Sequence, residues 1–472
     1  MSINKYILSF AFILSLASCK KVLEVEPEFT LDGSNRFKTL DDYQASLQGT
    51  YALFHNANYY GGTDAATNAF VTMPDLLSDN VFESDESLGN ERTFSRWTYA
   101  EDNSQIENTW QAAYRIIAQA NLTLKGIDRF SGDQAGSVNR IKAQALTIRA
   151  MVHFDVLRYW VDNYDRNSNS PGIPYIKEFN YEQKPSRGTV KLTYDQIEAD
   201  LKDAATLMTQ MDRPINSGSR AYLDPVGVNA ILARMYLYAN ELDSAIKYSS
   251  LVINARPLAG IGTFPSIWTD ASNAEVVWSN IFEAGEGNVG YHLYFVSVDA
   301  AQYHPSAALL ATYDQAMDVR YDSYFQNIGG RVVVTKYYAK EAQQGNPDGV
   351  VNFKAFRTGE MYLIRAEAHA RKGAHALGLA DLNTLRAARI AGFVPGTETG
   401  AVLIDAIALE RRKELFAEGH RFFDLKRTTR TVTRTNCSSF CTLPSSSRSW
   451  TWPIPQPEID ANPNMLPQNP GY

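Results

Sequence analysis

Cys19 carries the most definite chemistry in this chain. Lys5 opens the N-terminal segment with a positive charge, Tyr6 to Leu16 is almost unbrokenly apolar, and Leu16-Ala17-Ser18-Cys19 closes it. That run is far short of the roughly 20 apolar residues needed to span a bilayer. It reads as the h-region of an export signal, with small residues where a peptidase would cut. The apolar-small-small-Cys order resembles a bacterial lipobox, in which the thiol is acylated and cleavage leaves Cys19 first. Each buried methylene of an acyl chain contributes about 0.8 kcal/mol, so two or three chains would hold a soluble body on a membrane. Residues 1–18 therefore read as a lipoprotein signal peptide, 19–38 as anchor and tether, and 39–472 as one body.

Rings carry the second kind of chemistry. Aromatic faces stack on the apolar C–H faces of pyranoses, while amides and charges fix the hydroxyls. The candidates are rings in stretches without periodicity. Trp97 comes first, flanked by Arg96 and preceded by Asn90 and Arg92. Tyr60 lies beside the Gly61-Gly62 turn, Tyr291 ends a glycine-rich loop, and Trp268 lies in a Pro/Ser/Asp loop. With 26 Tyr, 22 Phe and 7 Trp in the chain, most rings must fill a core before any is left for a ligand.

Other chemistries find no support. Gly285-Glu286-Gly287-Asn288-Val289-Gly290 spells G-x-G-x-x-G, but Tyr291 to Val298 reads as a strand and not as a helix. No helix N-terminus then faces a pyrophosphate, and the stretch reads as a hairpin loop. His369 and His375 lack metalloprotease spacing, and there is no G-x-S-x-G elbow. Two glycosidase carboxylates at a set separation are beyond what residue spacing can show. Cys437 and Cys441 form a structural clip or a free pair in a 435–443 loop; without a nearby His they are a poor metal site. No catalytic residue, metal or cofactor is assigned. Without residues 1–18 the formal charge moves from −7 to −8, which offers no basic field for nucleic acid.

The elements that would position these residues are mostly helices. Residues 39–55 predict a helix capped by Thr39, with Leu40, Tyr43, Leu47 and Tyr51 on one face. Further helices are expected over 107–130 and 138–160, from Thr193 in capping-box spacing, and from near Val402 to near Gly419. Residues 225–256 and 360–390 read as helical hairpins. Ala233, Ala245 and Val252 are spaced by 12 and 7, as are Ala368, Ala380 and Ala387. Small residues so placed let paired helices approach, as in tetratricopeptide repeats. Regions 56–105 and 257–355 read as loop-rich, with strands at 275–281 and 331–338. The proline-rich end, 428–472, reads as extended.

Several stretches together resemble the SusD/RagB family of outer-membrane lipoproteins. They are Glu410-Arg411-Arg412-Lys413-Glu414-Leu415, then Glu418-Gly419-His420-Arg421-Phe422-Phe423-Asp424-Leu425-Lys426-Arg427, and the closing Trp452-Pro453-Ile454-Pro455 with 462–472. Arg149-Ala150, Phe154, Arg158-Tyr159, Pro174-Tyr175 and the Leu23–Pro27 tether add to them. Glu24 stands where Asp is commoner, and Trp160 where a glycine is usual. The resemblance implies a mainly α, SusD-like fold, with tetratricopeptide-like hairpins at about 107–256 and 360–427 and an irregular region with short strands. It implies a non-enzymatic protein of the outer membrane of Bacteroidetes, lipid-anchored and surface-exposed. Its partner would be a SusC-like TonB-dependent transporter and its ligand a nutrient glycan, or alternatively a peptide; a tetratricopeptide-like adaptor is the remaining reading. The signature itself reads as structural. Glu410 with Lys413 and Glu418 with Arg421 are expected as i,i+3 pairs, and Gly419 as a left-handed helix cap.

Overall fold

The computed structural model describes residues 37–472 except 181, 216, 217 and 436. Residues 1–36, with Cys19 and nearly all of the tether, lie outside the described residues. Two compact units divide the chain, Met1–Ala45 and Ser46–Tyr472. In the described part of the first, helix α1 (Leu40–Ala52) begins. Asp42 accepts from the backbone N–H of Lys38 (2.8 Å) and Thr39 (2.7 Å), while Thr39 Oγ1 accepts from the Asp42 N–H (3.3 Å). This reciprocal cap satisfies donors that a helix start leaves free.

The second unit is a succession of helices, each packed on the next in sequence or on one close by. They are α2 (Ser104–Leu124), α3 (Ala135–Trp160), α4 (Val190–Met208), α5 (Pro225–Tyr238), α6 (Leu242–Ala255), α7 (Thr358–Arg371), α8 (His375–Ala387) and α9 (Gly400–Glu414). Helix α3 packs on both α2 and α4, α7 on both α6 and α8, and α9 on α7. That is why α3 is buried nearly all round from Val138 to Trp160, where a surface helix would show a single stripe. One core cluster joins Leu363, Ala366, Leu382, Leu385, Leu403 and Ile407 across α7, α8 and α9.

The expected helical hairpins are present, but the spacing argument holds only for the first. Ala233, Ala245 and Val252 are fully buried, whereas Ala380 and Ala387 are exposed. In the second hairpin the close approach is made at Gly378, where a Cβ would lie 2.8 Å from the Ala366 carbonyl. Helix α4 starts at Val190 and is capped by Thr189, whose side chain accepts from the Leu192 N–H (3.0 Å). Thr193, expected as the cap, sits inside the helix and donates back to the Thr189 carbonyl. Helix α9 stops five residues before Gly419, because Ala417 (φ 56) and Gly419 (φ 82) turn the chain. Gly419 is no helix cap: its added Cβ would stand 2.1 Å from the Phe70 carbonyl, so a backbone crossing demands the glycine. A short helix α10 (Arg421–Arg427) follows, and another, α11 (Gln456–Ala461), interrupts the C-terminal stretch expected to be extended. Pro457 falls in the first turn of α11, where no amide donor is needed.

Strands form only two-stranded antiparallel ladders among the described residues. β1 (Val81–Glu83) pairs with β3 (Tyr303–Pro305), and β2 (Val276–Asn280) with β6 (Phe353–Arg357). β4 (Phe325–Ile328) pairs with β5 (Arg331–Val334) through the Gly329-Gly330 turn, and β7 (Val432–Thr433) with β8 (Thr442–Leu443). The strand expected over 291–298 is absent; turns and a 3-10 segment, Val296–Val298, stand there. The glycine-rich 285–290 stretch is thus no hairpin loop. It packs on another loop, with the Asn288 N–H donating to the Gly62 carbonyl (3.1 Å).

Candidate functional site

The family-like signature at 410–427 holds an interior network of charge. Glu414 accepts from three guanidiniums, those of Arg320, Arg357 and Arg389, each at 3.0 Å at the nearest approach. Arg357 and Arg389 also reach Glu275 (2.5 and 2.7 Å), and Glu418 takes Arg357 (2.7 Å) and Lys336 (2.6 Å). Asp318, Glu410 and Lys413 extend the network around Arg320. Although burial alone would raise the Glu414 pKa, the three cations hold its carboxyl well below the usual range. Glu410 with Lys413 is a marginal pair at 4.0 Å. The expected Glu418–Arg421 pair is not made, since Glu418 turns inward and Arg421 turns to Asp79 (2.8 Å).

That last contact positions a cavity. Arg421 and Arg412 together clamp Asp79 and Asn80, and the Ser306 N–H and hydroxyl bond the carbonyls of Asn80 and Asp79. The next residues are β1, paired with β3 so that Phe82 lies against His304 (5.7 Å between rings) and Glu83 opposes Tyr303. Glu83 receives Arg92 (2.6 Å) and Arg96 (3.5 Å) from the short helix that follows. Facing this wall, the β7–β8 hairpin is closed by a Cys437–Cys441 disulfide. It lifts Phe440, 44% exposed with φ 57, to the tip. Arg96 approaches the Phe440 ring at 5.9 Å. Between the walls lies a space of about 480 Å³, bounded also by Asp85, Ser438 and Arg434.

Arg434 is the joint between the walls. Its guanidinium donates to the carbonyls of Ser78 (2.7 Å), Ser95 (2.5 Å) and Leu76 (2.8 Å) and covers the Trp97 ring at 4.1 Å. Burial brings its pKa down to about 10. Behind the wall, Glu91 is 1% exposed with both carboxylate oxygens lacking a hydrogen bond, and desolvation raises its pKa to about 7. His292 Nε2 lies 3.5 Å away, and burial lowers that imidazole to about 4.

The rings expected to meet ligand are mostly interior. Trp97 is 8% exposed, with its indole N–H on the Leu77 carbonyl (2.9 Å) and its face under Arg434. Tyr60 packs among Phe54, Tyr59, Trp278 and Phe353. Tyr291 is buried against Phe295 (4.4 Å). Trp268 lies under the Lys336 ammonium at 4.0 Å and near Arg357 and Lys354. Irregular backbone is not the same as exposed backbone: the rings of these segments pack into the interior. Of the polar candidates, Arg92 lines the cavity, whereas Asn90 is half-buried and engaged by Asp64 outside the cavity wall. Phe82, Tyr303 and Phe440 were missed. Phe440 had a usable signal: an aromatic residue between two cysteines four apart is a ring on a constrained loop tip.

Two family models match this chain, one described as "Starch-binding associating with outer membrane" over residues 26–237 and one as "SusD family" over 320–472. The chain belongs to the SusD family. SusD-like protein P2 of Formosa agariphila is 25% identical over 99% of this chain and the whole of the relative. A SusD superfamily protein from Bacteroides thetaiotaomicron is 26% identical, covers 92% of this chain and all of its own, and superposes with a TM-score of 0.79. One from Bacteroides vulgatus is 25% identical with the same coverage and TM-score. The mainly α fold is therefore that of the SusD superfamily. No described helix is long and apolar enough to cross a membrane. Among the described residues no three His, Cys, Asp or Glu side chains form a metal-binding group.

Proposed function

We propose that this SusD-family protein captures a glycan at the cell surface. It binds the sugar between the β1–β3 wall and the disulfide-closed Phe440 loop and passes it to a TonB-dependent, SusC-like barrel while anchored through lipidated Cys19. The family's starch-binding and outer-membrane description supports the class of ligand and the compartment. The observation that carries the site is the pairing of an exposed ring, Phe440, with Glu83, Asp85, Arg92, Arg96 and Ser438 around one open space. A ring for the C–H face and several groups for the hydroxyls are what a pyranose needs. The role is binding and not catalysis. Arg92 remains a ligand-contact residue in this reading; Trp97 acts behind the wall by holding Arg434, and Tyr60, Tyr291 and Trp268 serve the core.

Titration calorimetry of the mature chain against a panel of oligosaccharides tests this. Phe440→Ala is expected to weaken the bound glycan roughly fivefold, the worth of one ring stack, with the melting temperature unchanged. Equal affinity in the variant removes Phe440 from the site. Binding of a peptide library with no glycan response overturns the ligand class.

A further inference from the structure

Cys437-Ser438-Ser439-Phe440 is a stretch of the cavity wall with no buried side chain: the two serines and Phe440 are exposed, and Cys437 is half-buried. The base of the hairpin below it is firm. Val432 and Leu443 are buried and face each other across β7–β8, the Arg434 N–H donates to the Cys441 carbonyl (2.8 Å), and the Arg434 guanidinium is fixed on three carbonyls. That ladder has only two residue pairs, too few to order a tip by themselves. Yet Phe440 is held at φ 57, in the left-handed region, where a residue with a ring seldom stays without outside constraint. The Arg96 guanidinium, itself exposed, stands 5.9 Å from the ring, at the outer limit of a cation–π contact. What ties the loop on both sides of Phe440 is the bond between Cys437 and Cys441, with their Cα atoms 5.6 Å apart.

Given the glycan site proposed above, we infer that the Cys437–Cys441 disulfide is a positioning element for ligand: it contributes to affinity by fixing the Phe440 ring, and not by stabilising the body of the protein. A ring carried on an open loop has to be ordered each time a ligand arrives, and that loss of freedom is subtracted from the affinity. The closed loop has given up the freedom before the ligand comes. Stability is a separate matter. The bridge joins residues only four apart in sequence, and a disulfide stabilises a fold less the shorter the loop it closes. Opening it uncovers no core either, because the tip buries none.

The test compares the mature chain with three variants: Cys437→Ser combined with Cys441→Ser, Phe440→Ala, and all three substitutions together. Calorimetry against maltoheptaose, cellohexaose and xylohexaose reads affinity. The probe that binds wild type is expected to bind the serine pair roughly fivefold more weakly, as it does Phe440→Ala. The triple variant should bind no more weakly than Phe440→Ala, since groups that act through one another do not add; a bridge with a merely structural role would weaken it further. A second measurement needs no ligand. Chymotrypsin, which cuts after exposed aromatic residues, should nick the serine pair after Phe440 at least about tenfold faster than wild type, as followed by mass spectrometry. The melting temperature of the uncut serine pair should stay close to that of wild type, and a large fall overturns the inference. So does a serine pair that binds as tightly as wild type, or that is cut after Phe440 no faster, while a weakened Phe440→Ala leaves the site itself standing. Equal affinity in Phe440→Ala, or no heat from any probe, overturns the site and the inference with it.

Discussion

Glu414 and Glu83 each face more than one guanidinium, yet they stand in opposite surroundings. Glu414 and its three arginines are fully buried. Glu83 is partly exposed, and its partners Arg92 and Arg96 show side-chain exposures of 47% and 43%. In the interior, each charge has given up water and depends entirely on its neighbours. At the cavity, water shares the load, and the same ion pairs are worth little to stability. The two regions are nevertheless joined, because Arg412 and Arg421 of the signature hold Asp79 and Asn80, from which β1 and Glu83 run. The buried network therefore sets the frame, and under the proposed function the exposed pair is the one that exchanges partners for ligand.

The sharpest way to break this comparison is Glu414→Ala. Three buried guanidiniums would lose a common acceptor, and removal of one member of such a cluster costs on the order of 4 kcal/mol. Urea unfolding followed by circular dichroism measures it. A loss as small as that expected for a surface pair would show the network to be no stronger than the cavity wall.

Glu91 lies between the two regimes and responds to pH. Desolvation pushes its carboxyl up to about 7 in the folded chain, from an ordinary glutamate value of about 4.5. It thus holds its proton more tightly when folded. The associated stability is complete below about pH 4.5 and is lost as the pH rises through 7. Glu91→Gln removes a charge that burial disfavours and leaves an amide facing His292 Nε2. The variant is expected to gain about 3 kcal/mol relative to wild type at pH 8 and little at pH 4.5. Thermal unfolding at the two pH values checks this, and an equal effect at both would mean that Glu91 is not carrying a proton.

How much of this was legible in the residues differs between the same two regions. The helices could be read from 3.6-residue periodicity, since that signal depends only on neighbours along the chain. The inward turn of Glu418 could not. Its partners Arg357 and Lys336 lie 61 and 82 residues away, and no spacing rule reaches that far. The cavity suffered from a related blindness. Between 56 and 105 the lack of periodicity identified irregular backbone, but irregular is not exposed. Tyr59, Tyr60, Phe70, Phe94, Trp97 and Tyr99 are all buried there. The ring that does reach solvent, Phe440, comes from a wall some 340 residues further along the chain, and only the flanking cysteines hinted at its setting.

The smallest effect on stability is expected for Arg92→Ala, and it is the one that separates the two regions most cleanly. Arg92 gives its Nε–H to Glu83 at 2.7 Å, but it does so from an exposed position. Its loss should leave the unfolding free energy almost unchanged, as for most exposed pairs. Arg96 remains to neutralise Glu83 in the variant. Glycan affinity should nevertheless fall under the proposed function, because a guanidinium lining the cavity has gone while the wall is intact. Calorimetry and urea unfolding on the same preparation read both quantities. Affinity lost without stability is the signature of a residue kept for ligand. Stability lost in proportion would instead make Arg92 part of the frame and place it with Glu414.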